Sequence, residues 1–298
     1  MNDYHIPVLL KEVLDLLQVK KGKRYIDATL GGGGHTFEIL NQGGLVLGID
    51  WDKESIDFVK ERQKASNFSQ NLTLAQGNFS DLEKIALSNG FDKVSGIIFD
   101  LGISTHQLEE KNRGFSFLKE GPLDMRMDKS LPIKASDLIN VLTKGELYEI
   151  FYKLGEERRA HTISNSIISA RRIKPIQTTG ELASVVQSAY GIRYEPTDFI
   201  KSKLNMRVFQ ALRIAVNNEL GNVEKALPQA LDLLESGGRV AVISFHSLED
   251  RIVKLKFKEF QKEGMGKILT KKPISSQNEE LSMNRRARSA KLRIFEKN

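Results

Sequence analysis

The chain of 298 residues contains no cysteine. Disulfides, thiolate metal sites and a cysteine nucleophile are therefore excluded. It has a single tryptophan and only 7 prolines. No apolar run approaches the ~20 residues needed to span a bilayer. The N-terminus, Met1-Asn-Asp-Tyr-His5, shows neither a basic nor an apolar leader segment, so the chain is read as cytoplasmic, with no membrane partner. What is present, 40% hydrophobic and 28% charged residues, describes a globular protein with ample material for a core. The formal charge of +7 is unevenly placed, because residues 251–298 carry 14 Lys/Arg against 5 Asp/Glu. A basic tail of that kind either meets phosphates or is simply a solvated surface.

One stretch organises the rest. Arg24 to Ala28 reads as a short buried strand, Gly31 to Gly34 as a sharp turn, and His35 to Asn41 as the start of a helix. A second apolar run, Leu45-Val-Leu-Gly-Ile49, ends at Asp50, whose carboxylate can accept both ribose hydroxyls of an adenosine. Strand, glycine turn, helix and strand ending in an acid is a nucleotide-binding βαβ unit. A turn with no ligand and an NAD site are the competing readings. Asp27, standing ahead of the glycines, suits a ligand with a positive amino group better than a pyrophosphate, which favours S-adenosylmethionine.

Further strands are expected at Leu72–Ala75, Val94–Phe99 and Arg239–Phe245. They place Phe79, Asp100 and His246 at the carboxyl edge beside Asp50. Phe79 either lies against an adenine or packs in the core. Residues 105–212 contain no convincing strand, and helices are expected over Asp137–Val141, Lys144–Leu154, Arg158–Arg172 and Thr179–Ala189. Phe209–Glu235 then reads as one helix ended by Gly237-Gly238, and Lys267–Thr270 with Ala290–Phe295 as a closing strand pair. The expected organisation is α/β: a discontinuous domain of residues 1–104 and 213–298, interrupted by a helical insert over 105–212.

Several motifs resemble one family. They include Asp27-Ala-Thr-Leu-Gly-Gly-Gly-Gly-His35, Asp100-Leu-Gly-Ile-Ser104, Arg113-Gly-Phe-Ser-Phe117, Gly121-Pro-Leu-Asp-Met-Arg-Met-Asp128, Phe209-Gln-Ala-Leu-Arg-Ile214 and Ser244-Phe-His-Ser-Leu-Glu-Asp-Arg251. With His5-Ile-Pro-Val-Leu and Arg286-Ala-Arg-Ser289 they span nearly the whole chain, and it resembles the small-subunit rRNA cytosine-N4 methyltransferases called RsmH or MraW. The resemblance implies a class I methyltransferase fold, Rossmann-like with a mostly parallel sheet, carrying an inserted substrate-recognition domain. It implies S-adenosylmethionine as donor, bound by Gly33, Gly34, His35, Asp50, Phe79, Asp100 and Gln107. The implied substrate is a cytidine in the decoding region of small-subunit rRNA within the assembled 30S subunit, and a homodimer is left open. Where the family reads His-Pro-Ala-Thr-Arg-Thr, this chain has Lys203-Leu-Asn-Met-Arg-Val208.

Methyl transfer needs an in-line nucleophile held close to the donor. Asp100 either contacts the donor or holds the target amine. His246 is the candidate proton acceptor, its alternative being a local hydrogen bond that shapes the turn. Asp124 and Arg126 either grip the target nucleotide or pair with each other. No metal is required, and the five histidines show no ligand spacing.

Overall fold

The computed structural model describes residues 7–68, 70–192 and 197–298, with the side chains of Asn278, Met283, Arg285 and Arg286 outside the description. His5 and Ile6 of the first motif also fall outside it. Among the described residues no helix is long and apolar enough to cross a membrane. The chain divides into two compact units, residues 1–104 with 220–298, and residues 105–219.

The first unit opens with α1 (Leu10–Leu17), β1 (Arg24–Asp27), α2 (Gly34–Asn41), β2 (Leu45–Asp50) and α3 (Lys53–Lys64). It continues through β3 (Leu72–Gln76), α4 (Leu82–Ser88) and β4 (Val94–Asp100). The second unit holds α5 (Thr105–Glu109), α6 (Ala135–Val141), α7 (Lys144–Glu149), α8 (Ala160–Ile173), α9 (Thr179–Ala189) and α10 (Asp198–Asn217). A π turn over Ile150–Leu154 extends α7. The first unit resumes with α11 (Glu219–Leu233), β5 (Leu234–Ser244), α12 (Ser247–Lys262), β6 (Gly266–Ile268), α13 (Asn278–Met283) and β7 (Lys291–Lys297).

The strands form one sheet in the order β3-β2-β1-β4-β5-β7-β6. The first five run parallel, and β7 enters antiparallel to both β5 and β6. Alternate residues sort cleanly between the two faces, as the two-residue period of a strand requires. Ile26, Leu47, Ile97, Phe99, Val240 and Val242 join one core with α4, α11 and α12. Tyr25, Val46, Ile98, Ala241 and Ile243 join the other with α1 and α2. Because both faces are covered, the central strands are apolar through their middles, as buried parallel sheets require.

The second unit packs α8 on α7 and α9, and α10 on α6, α9 and the π turn. Leu147, Phe151, Ile163, Ile167, Leu182, Val208 and Leu212 are buried there. Only one isolated bridge, Pro122 with Thr178, resembles strand pairing among its described residues.

Three local features differ from the sequence expectation. The helix expected over Phe209–Glu235 begins earlier, at Asp198, and breaks at Asn218, which is left-handed with φ 49°. Gly237-Gly238 does not end a helix but lies within β5, where the register against β4 slips between Val94 and Gly96. The second chain crossing falls at 219/220, not 212/213. The last turn of α10 is held to the second unit by side chains: Asn217 accepts the Met127 N–H at 2.8 Å and donates to the Met125 carbonyl at 2.7 Å. Arg213 pairs with Glu219 through two hydrogen bonds of 2.8 and 3.0 Å.

Candidate active site

Parallel topology brings the carboxyl ends of β1, β2, β4 and β5 to one edge of the sheet. Asp27 closes β1 and is almost wholly buried. Its carboxylate accepts the Thr36 hydroxyl at 2.7 Å and the Thr29 N–H at 3.2 Å. Burial pushes its pKa up, against the opposing pull of His35 and of the Thr36 hydroxyl.

The turn that follows needs glycine for a reason the sequence does not reveal. Gly33 sits at φ +77°, and a Cβ there would stand 3.0 Å from the Phe37 ring and 3.2 Å from Val59. A Cβ on Gly34 would meet Pro7 at 2.9 Å. Both absent side chains face protein, so glycine at these positions permits the turn and its packing. Arg62 clamps the turn from outside, donating to the Gly32 carbonyl at 2.6 Å with its guanidinium 4.1 Å from the Phe37 ring centroid.

Asp50, at the end of β2, remains partly exposed. One oxygen accepts the Gly31 N–H at 2.8 Å and the other accepts the Asp52 N–H at 2.9 Å. Burial still dominates these two donors and pushes its pKa up to about 7. Each oxygen keeps a further lone pair for a ligand hydroxyl. Phe79 lies in the short 3-10 turn after β3, edge-on to Phe99 at 5.7 Å and tilted against Trp51 at 6.4 Å. Trp51 directly follows the strand-ending acid, which places its ring against Phe79.

Asp100 ends β4, and its N–H donates to the Thr29 hydroxyl at 2.6 Å, tying the glycine turn to the fourth strand. His35 is buried with Nε2 3.1 Å from the Val8 carbonyl. Its Nδ1 lies 4.0 Å from an Asp100 carboxylate oxygen. Asp27, His35 and Asp100 thus form one buried, net acidic cluster, in which Asp100 contributes to the raised pKa of Asp27.

His246 follows β5 and is the N-cap of α12. Its Nδ1 accepts the Glu249 N–H at 3.4 Å, and the Glu249 carboxylate accepts the Phe245 and His246 N–H groups at 2.8 and 3.3 Å. The reciprocal capping box satisfies otherwise orphaned donors. Glu249 also lies 3.2 Å from His246 Nε2. The local hydrogen-bonding alternative for His246 is therefore realised in this structure.

The first unit gathers Gly33, Gly34, His35, Asp50, Phe79 and Asp100 at the end of its sheet. Gln107 belongs to α5 of the second unit and is buried there. Asp124 and Arg126 pair with each other, Nε and Nη2 reaching the two carboxylate oxygens at 2.7 and 2.9 Å. Arg126 spends its remaining reach on the Lys129 and Leu131 carbonyls, so the pair is a loop brace, not a free nucleotide grip. Arg159 covers the Tyr190 ring, and Arg171 donates to the Ile139 carbonyl. The side chains of Arg285 and Arg286 in the tail motif lie outside the described residues.

A parallel nucleotide-binding sheet closed by an antiparallel β7 between β5 and β6, with the acidic β1, β2 and β4 ends at one edge, defines a class I methyltransferase fold. The family model described as the MraW methylase family matches residues 2–298. The chain belongs to that family. It is 44% identical over 303 residues to the ribosomal RNA small subunit methyltransferase H of Coprothermobacter proteolyticus, covering 100% of this chain and 98% of the relative. The protein of the same name from Clostridium botulinum strain Loch Maree is 42% identical over 315 residues, with 100% of each covered. Among solved structures, an rRNA methylase from Streptococcus thermophilus is 13% identical, with a TM-score of 0.47 and 98% of each chain covered.

Proposed function

We propose that this chain methylates the N4 amine of a cytidine in the decoding region of small-subunit rRNA, within the 30S subunit, by single displacement from S-adenosylmethionine. The observation that carries the reading is the gathering of Asp27, Asp50 and Asp100 around the glycine turn in a chain similar, end to end, to small-subunit rRNA methyltransferases. The donor set fits the methyl donor. Asp50 has lone pairs for two ribose hydroxyls, Phe79 offers an aromatic face beside them, and the Asp27–His35–Asp100 cluster is acidic where a cationic end would lie. Gly33, Gly34 and His35 shape the turn. Gln107 is retained as a contact on the family resemblance.

The donor supplies an electrophilic methyl on a sulfonium: the N4–C bond forms as the C–S bond breaks, leaving a neutral thioether. The target amine must shed one proton. In the proposed path His246 takes it at Nδ1, giving up its long 3.4 Å cap bond, while Glu249 stabilises the imidazolium. Asp100 is proposed to contact the donor and to face the reacting amine. The second unit is proposed to recognise the substrate. Absence of cysteine favours N4 over C5, since C5 methylation generally requires an enzyme thiolate to add at C6.

Nucleoside mass spectrometry of small-subunit rRNA from cells with and without the gene tests the reading. N4-methylcytidine should disappear with the gene and return with it. Loss of a C5 or ribose methyl instead would overturn it.

A further inference from the structure

Part of the positive charge of residues 251–298 is engaged internally, and on α12 what is left over has a pattern. Lys267 pairs with Glu296, Lys291 and Arg293 pair with Asp250, and Lys297 donates to the Leu231 and Leu234 carbonyls. Lys256 pairs with Glu259. Among the described residues Lys254, Lys258 and Lys262 have no ion pair or side-chain hydrogen bond. All three are exposed on α12, as is Arg251.

Helical geometry puts these four side chains on one line. Positions 251, 254, 258 and 262 follow the i, i+3, i+7, i+11 spacing of a single helix face. The opposite face is the buried one, through Val253, Phe257 and Phe260. The acids of the helix have partners of their own: Glu249 caps the helix, Asp250 binds Arg293, and Glu259, exposed beside the stripe, binds Lys256. Leu255, 57% exposed, lies beside the lysines. At 1.5 Å rise per residue the lysines stand about 6 Å apart, and the stripe runs roughly 16 Å. Lys254, its first unpaired member, stands about two turns along α12 from the His246 N-cap.

We infer that the outer face of α12 is a docking surface for the sugar–phosphate backbone of the rRNA substrate. A regular row of exposed, unpaired ammonium groups on a rigid element is complementary to a regular row of phosphates. It carries no planar fork or free acceptor for reading bases, so it supplies affinity and register without sequence choice. Lys254, Lys258 and Lys262 position the substrate and do not touch the reacting atoms. The inference rests on the proposed rRNA activity.

The test is the triple variant K254Q/K258Q/K262Q in the full chain, assayed with protein-free small-subunit rRNA and with 30S subunits across a salt series. Surface substitutions at unpaired positions should leave thermal stability and S-adenosylmethionine affinity unchanged. KM for rRNA should rise, kcat at saturation should hold, and the log–log salt slope of rRNA binding should fall by about two, at roughly 0.7–0.9 per lost phosphate contact. An unchanged slope and KM would overturn the inference and leave α12 a solvated face. Weakened binding to 30S subunits with unchanged binding to naked rRNA would also overturn it, in favour of an acidic ribosomal protein as the partner. Wild-type enzyme that methylates no rRNA in the same assay would instead remove the proposed function.

Discussion

The Gly31 N–H donates to a carboxylate oxygen of Asp50 at 2.8 Å, joining the glycine turn to the tip of the neighbouring strand across nineteen residues of sequence. The other oxygen of Asp50 takes the Asp52 N–H, and Asp52 in turn caps α3. The acid that answers the glycine turn is therefore a structural brace as well as a candidate ligand.

That double role predicts opposite pH dependences. Asp50 has its pKa raised by burial to about 7, so its contribution to stability is fully present below the ordinary carboxylate range and is lost as pH rises through about 7. Acceptance of ribose hydroxyls needs the charged form. S-adenosylmethionine affinity should therefore weaken as pH falls from 8 to 6, while the Asp50 contribution to stability increases. Calorimetric titration and thermal melts at several pH values measure both. Asp50→Asn should flatten both profiles, and an unchanged profile would remove Asp50 as their source.

Gly33→Val should destabilise the first unit itself. The left-handed backbone at φ +77° costs a side-chain-bearing residue roughly 1–2 kcal/mol, and overpacking against Phe37 and Val59 adds about 1–3 kcal/mol. Denaturant melts should show a lowered midpoint before any ligand is added. A variant as stable as wild type that merely binds no donor would instead show that a side chain at position 33 meets the donor.

His246 can be separated into its two roles. His246→Ala removes the N-cap and should cost about 0.5–2 kcal/mol of stability, whereas His246→Asn keeps a capping oxygen and should cost far less. As the proposed proton acceptor, His246 should lower kcat by roughly 10²–10⁴ in both variants. Wild-type kcat in His246→Asn would leave the residue as a helix cap alone.

Asn217→Ala should weaken the second unit. The buried amide joins the end of α10 to Met125 and Met127, and its removal leaves the Met127 N–H without that acceptor. The expected cost is about 1–3 kcal/mol. Hydrogen exchange at Met127 should accelerate with it, and unchanged protection there would contradict the bridge.

The sequence by itself determined the elements whose cause is local. Strands with both faces buried show as apolar runs, so β2 and β4 are legible in the sequence, as is the helical stretch of α9. The acids at strand tips followed, because a strand end and a carboxylate are both local facts. What only the tertiary structure decided are contacts between distant positions. Glycine at 33 is required by Phe37 and Val59, and Arg62 holds the turn from α3. Arg126 is consumed by neighbouring carbonyls, and His246 is turned into a cap by Glu249. The end of the inserted unit is likewise set by where Arg213 and Asn217 find partners. Motif spacing records which atoms a chain owns; only packing decides which of them are left with capacity for a ligand.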